Sequence, residues 1–316
     1  MHPENLALLA ALTTSIVFGI SDALWKIPLR IFSTEICIFV RNIGTTLFLG
    51  ITAFLAKKAV IFDFNDVSYG VFISCISFFG LYFFGKSQKY SNISLIAPLL
   101  ILLDFIIFLM GVLYWKEIAN TSKWLCFGLS LVGSFLISFQ HKNYQKDNYQ
   151  KDNKNNKIGI RYGLLAAVFW GVSYSFFKDT TLRLGVATFG FILEATILVM
   201  SILVMIFMKT FFKKSQQKQQ TNQHEKTSEN PIIQPKVTQQ KALFFLLIIS
   251  SLGAVGVYCG NLVYVTLPVS SIVVVGIFGK IIPVLIGKIF YKEHISRQQY
   301  AGIVLQIIAL AVFKFI

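Results

Sequence analysis

Apolar runs of about 20 residues, the length a bilayer demands of a helix, succeed one another at 6–25, 33–56, 68–85, 93–115, 122–139, 160–177, 186–208, 242–264, 270–291 and 298–315. In hydrocarbon every backbone N–H and C=O must be satisfied within the protein, so only helices and closed barrels span. The runs lack the alternation of apolar and polar residues that barrel strands need. The expected fold is therefore an all-α polytopic membrane protein with ten transmembrane helices. Charge supports this: 14% of the 316 residues are charged, against about 25% in soluble domains. Of those 43 charged residues, 17 fall in two polar stretches, 140–161 and 209–241, which leaves the spans nearly bare.

The first polar stretch contains a tandem duplication, Tyr144–Asn148 followed by Tyr149–Asn153, in a Lys/Asn/Gln-rich setting. It reads as a low-complexity loop over 140–159, and the Gln-rich 213–241 segment with Pro231 and Pro235 reads as a second, disordered one. The net charge of +15 concentrates there and points to an anionic membrane surface rather than nucleic acid. Met1–Asn5 carries no Lys or Arg, so it lacks the basic region of a secretory signal, and the first helix is expected to be retained. Cys37, Cys75, Cys126 and Cys259 lie singly in apolar runs and read as buried thiols. His2, His141, His224 and His294 are scattered through connections and read as solvated side chains.

Internal repetition is the most informative feature. A shift of 176 lays Tyr82 on Tyr258, Ser94 on Ser270, Gly111 on Gly287, Lys116-Glu117 on Lys292-Glu293 and Trp124 on Tyr300 without a gap. A shift of 153 lays Leu29-Arg30 on Leu182-Arg183, and one of 152 lays Phe18-Gly19 on Trp170-Gly171. Residues 1–139 and 160–316 thus read as two copies of one five-helix unit. An odd number of spans per copy sends the second into the membrane from the opposite side, giving the inverted repeat typical of secondary transporters.

These features resemble the drug/metabolite transporter superfamily, EamA-type. The resemblance rests on Phe18-Gly19 and Trp170-Gly171 in the first span of each half and on Arg41 in the second. It rests further on the Glu closing the fourth span, Lys116-Glu117 with Gly128 and Gly133 beyond it, and Lys292-Glu293 with Gly302 beyond it. It covers the chain outside the two polar stretches and implies transport of a small molecule, with a cavity lined by these helices. Where the family often has proline about a dozen residues before that Glu, this chain has Asp104 and Lys280.

Four ionisable residues sit inside the apolar runs: Arg41, Asp104, Glu194 and Lys280. Each costs about 2.5–3.5 kcal/mol at the centre of a spanning helix, so they are expected to face one another or water. The shift of 153 lays Arg41 on Glu194 and that of 176 lays Asp104 on Lys280, so repeat-equivalent positions carry opposite signs. At a midplane site between repeats such a set suits a zwitterion, with the cations taking a carboxylate or phosphate and Asp104 or Glu194 an amine or a coupling proton. Buried ion pairs that only fix helix packing are the other reading of the same residues. Asp104 and Lys280 are expected to interact across the cavity, while Arg41 and Glu194, nearer the span ends, are expected to line opposite vestibules. Tyr82, Tyr258, Asn261 and Trp170 are further substrate-site candidates. Trp25, Trp115 and Trp124 lie at span ends and read as interfacial anchors. Gly256, Gly260, Gly276, Gly279 and Gly287, with Pro283, read as close-packing and bending elements.

There is no phosphate-binding Gly-Lys-Ser/Thr loop, nucleophile elbow or His-Glu-x-x-His. The expected protein is therefore no enzyme, carries no metal or cofactor, and moves its substrate on gradients of protons or of a counter-substrate. A non-transporting receptor or scaffold with structural charges is the alternative. A monomer or homodimer in a plasma or inner membrane is expected rather than an organellar protein. Twenty of the 29 Lys and Arg fall in connections on the side of the polar stretches and seven on the other. The positive-inside rule therefore puts the polar stretches in the cytosol, whereas the family resemblance puts both termini there.

Overall fold

The structure is a computed structural model that describes residues 3–56, 63–138, 149–223, 238–292 and 295–314. Its described residues form α1 Pro3–Leu24, α2 Thr34–Leu55, α3 Phe64–Tyr90, α4 Ile93–Leu99, α5 Ile101–Leu113, α6 Thr121–Ser138, α7 Tyr149–Ser175, α8 Phe177–Leu184, α9 Val186–Gln223, α10 Gln239–Thr266, α11 Val269–Tyr291 and α12 Arg297–Lys314, with a 3₁₀ turn at Pro28–Arg30. No strand occurs among them.

Twelve helices stand where ten were expected, and each extra one comes from a local break. Pro98 has no N–H to give to the preceding turn. The chain tightens at Leu100, whose N–H bonds Ala97 O and Pro98 O, and this separates α4 from α5. At Phe176 (φ −102°, ψ 0°) the chain bends by 43° between α7 and α8. Six helical segments, or seven if the bent α7/α8 pair is one, are long and apolar enough to cross a membrane among the described residues, so ten crossings are not established by length and composition. The polar stretches also differ from expectation: α7 already begins at Tyr149, and α9 runs on to Gln223. The first copy of the duplication, the loop core at 224–237 and the four histidines lie outside the described residues.

The packing obeys the repeat. α1 lies against α10 and α11, and its counterpart α7 lies against α3 and α5, their equivalents in the other half. α2 packs on its own counterpart α9, and α6 on its counterpart α12. Lys116 and Lys292, equivalent at a shift of 176, are the two described non-glycine residues with positive φ, at 52° and 54°. Both close the fourth run of their half in a left-handed turn, an expensive conformation that chance would not place twice in register.

Small residues bring the halves together. A Cβ on Gly19 would lie 2.7 Å from Gly279 O, and one on Gly279 would lie 2.9 Å from Ser15 O, so α1 and α11 cross backbone on backbone. Pro283 cannot donate to Gly279 O from the next turn, which frees that carbonyl to face α1. Ser33, Asp63 and Thr238 cap α2, α3 and α10 with their own side chains. α11 has no such cap. Glu117, from the other repeat, accepts from Val269 N at 2.7 Å and Ser270 N at 2.8 Å instead.

Candidate functional site

A cavity of about 190 Å³ lies between the halves, lined by residues of α1, α2, α3, α5, α7, α8, α9, α10 and α11. That is more than ten times the roughly 10–15 Å³ needed to admit one water, room for a small metabolite. Arg41, Asp104, Glu194, Lys280 and Asn261 all line it.

Arg41 and Glu194 do not line opposite vestibules. Arg41 Nη1 lies 2.6 Å from Glu194 Oε2, and both residues are buried. The same oxygen accepts from Asn42 Nδ2 at 2.6 Å and Thr45 Oγ1 at 2.8 Å, while Arg41 Nη1 also donates to Asn42 Oδ1 at 3.1 Å. Asn42 and Thr45 lie one and four positions beyond Arg41 on α2, so one helix presents three donors to one carboxylate oxygen. The expectation failed because α2 packs on its own repeat-equivalent α9, which brings equivalent residues face to face. Gly253 on α10 makes room: a Cβ there would come within 2.6 Å of Arg41 Nη2.

The second pair is looser. Lys280 Nζ stands 3.6 Å from Asp104 Oδ2, an ion-pair distance but beyond hydrogen bonding. Asp104 is 4% exposed, and its Oδ2 has no hydrogen-bond donor. Beyond it Gly276 offers no side chain; a Cβ there would stand 3.9 Å from Asp104 Oδ1.

A third carboxylate, Asp22, enters the cavity from the last turn of α1. Its side chain has no hydrogen bond or ion pair to any described residue, although Lys280 and Arg41 both act on it through space. Position in the sequence hides it, since the end of an apolar run reads as interface. The repeat offered a signal, because the shift of 152 lays Asp22 on Tyr174, a second cavity residue.

The cavity wall is aromatic. Trp170 stacks on Tyr174 at 6.0 Å, Tyr174 meets Phe177 at 4.6 Å and Phe177 meets Tyr264 at 5.7 Å, and all four line the cavity. Trp25, expected as an interfacial anchor, is 2% exposed and also lines it. Trp115 and Trp124 do not reach the cavity: Trp115 donates to Ser175 O at 3.1 Å, and Trp124 is exposed and packs edge-on against Phe108.

Tyr82 and Tyr258 are not brought to the cavity. On α3 the lining residues are Ser77 and Leu81. A step of about 100° per residue turns Tyr82 toward α2, where its hydroxyl donates to Glu35 Oε1 at 3.1 Å beside Lys86. Tyr258 follows the lining residue Val257 by the same step and is 39% exposed. Asn261 does line the cavity and donates to Val186 O at 3.1 Å.

The sequence matches the EamA-like transporter family over residues 5–139 and 157–315, two matches that coincide with the two repeats. A protein known from a crystal structure superposes with a TM-score of 0.68 at 13% identity, covering 98% of this chain and 96% of that one. At that identity the likeness shows a shared fold. No curated protein matches the chain by sequence.

Proposed function

The chain belongs to the EamA-like transporter family, and from that premise we propose that it is a secondary active transporter of a small polar or zwitterionic, amino-acid-like metabolite. It is an integral, multi-pass membrane protein whose partners are the bilayer and a small molecule. The observation that carries the proposal is a cavity between the repeats that holds an acid–base pair only loosely closed, Asp104 and Lys280 at 3.6 Å. Charge buried in a membrane is expensive, and an ion pair kept only for packing gains most when its hydrogen bonds are satisfied. The Arg41–Glu194 pair has them, whereas Asp104 Oδ2 lacks a donor.

On this reading α4/α5 and α7/α8 each make one crossing, giving ten crossings in two inverted halves. The halves rock about the Gly19–Gly279 contact to expose the cavity to each face in turn. Arg41 and Glu194 clamp α2 to α9. Asp104, Lys280 and Asn261 face the substrate, and coupling to a proton or counter-substrate runs through Asp104 rather than Glu194, whose Oε2 already accepts from three donors. The polar stretches lie in the cytosol, so a cysteine at Ser215 in a cysteine-free background escapes an impermeant maleimide in intact cells. Reconstitution into proteoliposomes on a solid-supported membrane, challenged with amino acids and small amines, tests the function. Transport currents that Asp104→Asn abolishes are expected. Their absence across the panel from a folded protein, together with absent counterflow, would overturn it.

A further inference from the structure

We infer that the ligand this cavity is built to hold is a protonated amine on an apolar body, a small organic monocation, with Asp22 and Asp104 taking the ammonium and the aromatic wall taking the body. This rests on the cavity being the ligand site of a transporter, and of the polar and zwitterionic substrates proposed above it selects those whose only charge is an ammonium.

The charges of the cavity do not balance once their partners are assigned. Glu194 and Arg41 neutralise each other. That leaves two carboxylates, Asp22 and Asp104, and one base, Lys280. An anionic ligand would find a single cation already held 3.6 Å from Asp104, and it would face two carboxylates. A zwitterion would meet the same conflict at its carboxylate end, because the charge of Arg41 is already neutralised by Glu194 at 2.6 Å.

An ammonium fits the vacant hydrogen-bonding capacity. It carries three donors and no acceptor. Asp104 Oδ2 is buried without a donor, and the Asp22 carboxylate, as distinct from its carbonyl, which accepts from Gln88 Nε2, has neither hydrogen bond nor ion pair to a described residue. Both acids also lie within electrostatic reach of an aromatic hydroxyl, Asp22 of Tyr174 and Asp104 of Tyr264. These carboxylates and the run Trp170, Tyr174, Phe177 and Tyr264 line one cavity, so a cation held there has aromatic faces, which attract positive charge, in the same wall. Lys280 is then a tethered occupant of the ammonium position, which a free amine shares or displaces.

The test uses the full chain, purified in detergent, and three probes with a phenyl ring and different charge: phenethylamine, 3-phenylpropionate and phenylalanine. Binding is read by titration calorimetry and by quenching of tryptophan, two of which, Trp25 and Trp170, line the cavity. Phenethylamine is expected to bind about 10–100-fold more tightly than either other probe, the ratio that one charged hydrogen bond commands. Asp104→Asn and Asp22→Asn each weaken it by a similar factor. Lys280→Gln tightens it by removing the competitor, a gain that misfolding cannot mimic. Equal or tighter binding of phenylpropionate or phenylalanine, no amine binding up to millimolar concentration, or weaker binding to Lys280→Gln would overturn the inference. Such a result with transport currents intact leaves the transporter reading standing, whereas loss of the currents themselves sinks that reading.

Discussion

Replacing Glu194 by Met removes the acceptor of three donors and leaves the Arg41 guanidinium buried with only Asn42 Oδ1 opposite its Nη1. Breaking a buried pair from one side costs about 3–5 kcal/mol, because the surviving charge is uncompensated. Arg41→Met is milder, near the lower end of that range, since Asn42 and Thr45 still donate to Glu194. The double variant Arg41→Met/Glu194→Met removes both charges and fills the space with side chains of similar length, a replacement that is often neutral or stabilising. Thermal unfolding in detergent is expected to show a drop on the order of 10 °C for Glu194→Met, with most of it recovered in the double variant. Amine binding persists in the double variant if the pair is a clamp and not a ligand site. A double variant as unstable as the two singles summed, within the roughly 0.5 kcal/mol expected of independent sites, would refute the clamp.

Glu117 is held below its ordinary range: burial alone would raise its pKa, but the N–H groups of Ser270 and Val269 and the Lys178 ammonium outweigh it. A lowered folded-state pKa stabilises above the ordinary value of 4.5 and loses that stability as pH falls through the folded one. The melting-temperature advantage over Glu117→Gln should therefore be full at neutral pH and shrink in acid; a gap constant down to pH 3 would contradict this. At the α6–α12 contact a Cβ on Gly133 would come within 2.8 Å of Gly302 O, and one on Gly302 would run onto Gly133 O, whereas one on Gly128 meets nothing within 4 Å. Gly302→Ala is expected to cost about 1–3 kcal/mol by overpacking against backbone, while Gly128→Ala leaves the melting temperature unchanged or raises it; equal effects would count against the contact.

The membrane class, the two repeats and the pairing of Asp104 with Lys280 are legible from apolar run length, charge and register, though not the looseness of that pair. The same register also held the Arg41–Glu194 contact, since it lays one on the other and equivalent helices meet at the axis of a two-fold. Distance from the run ends was the misleading measure, because a helix that packs on its own counterpart buries its centre line wherever that line falls. Asp22 is hidden in the sequence for a related reason. Depth along a run does not report which way the last turn of α1 faces, and here it faces the cavity, as the burial of the neighbouring Trp25 also records. The aromatic wall was half visible through Trp170. Tyr82 and Tyr258 miss the cavity by one residue of helical phase, which their equivalence does not reveal because both step off the cavity face together. Breaks at Leu100 and Phe176 need backbone geometry, although Pro98 marks the first.

The claim that one cavity opens to each side of the membrane is tested most directly at Gly260, which lines the cavity and whose added Cβ would meet only Thr14 Cγ2, at 3.4 Å. Gly260→Cys in a cysteine-free background, reconstituted in vesicles, is exposed to an impermeant maleimide from outside or from a preloaded interior. Alternating access predicts that protein of a single orientation is labelled from either face, and that phenethylamine slows both reactions. Labelling confined to one face under every condition would contradict it.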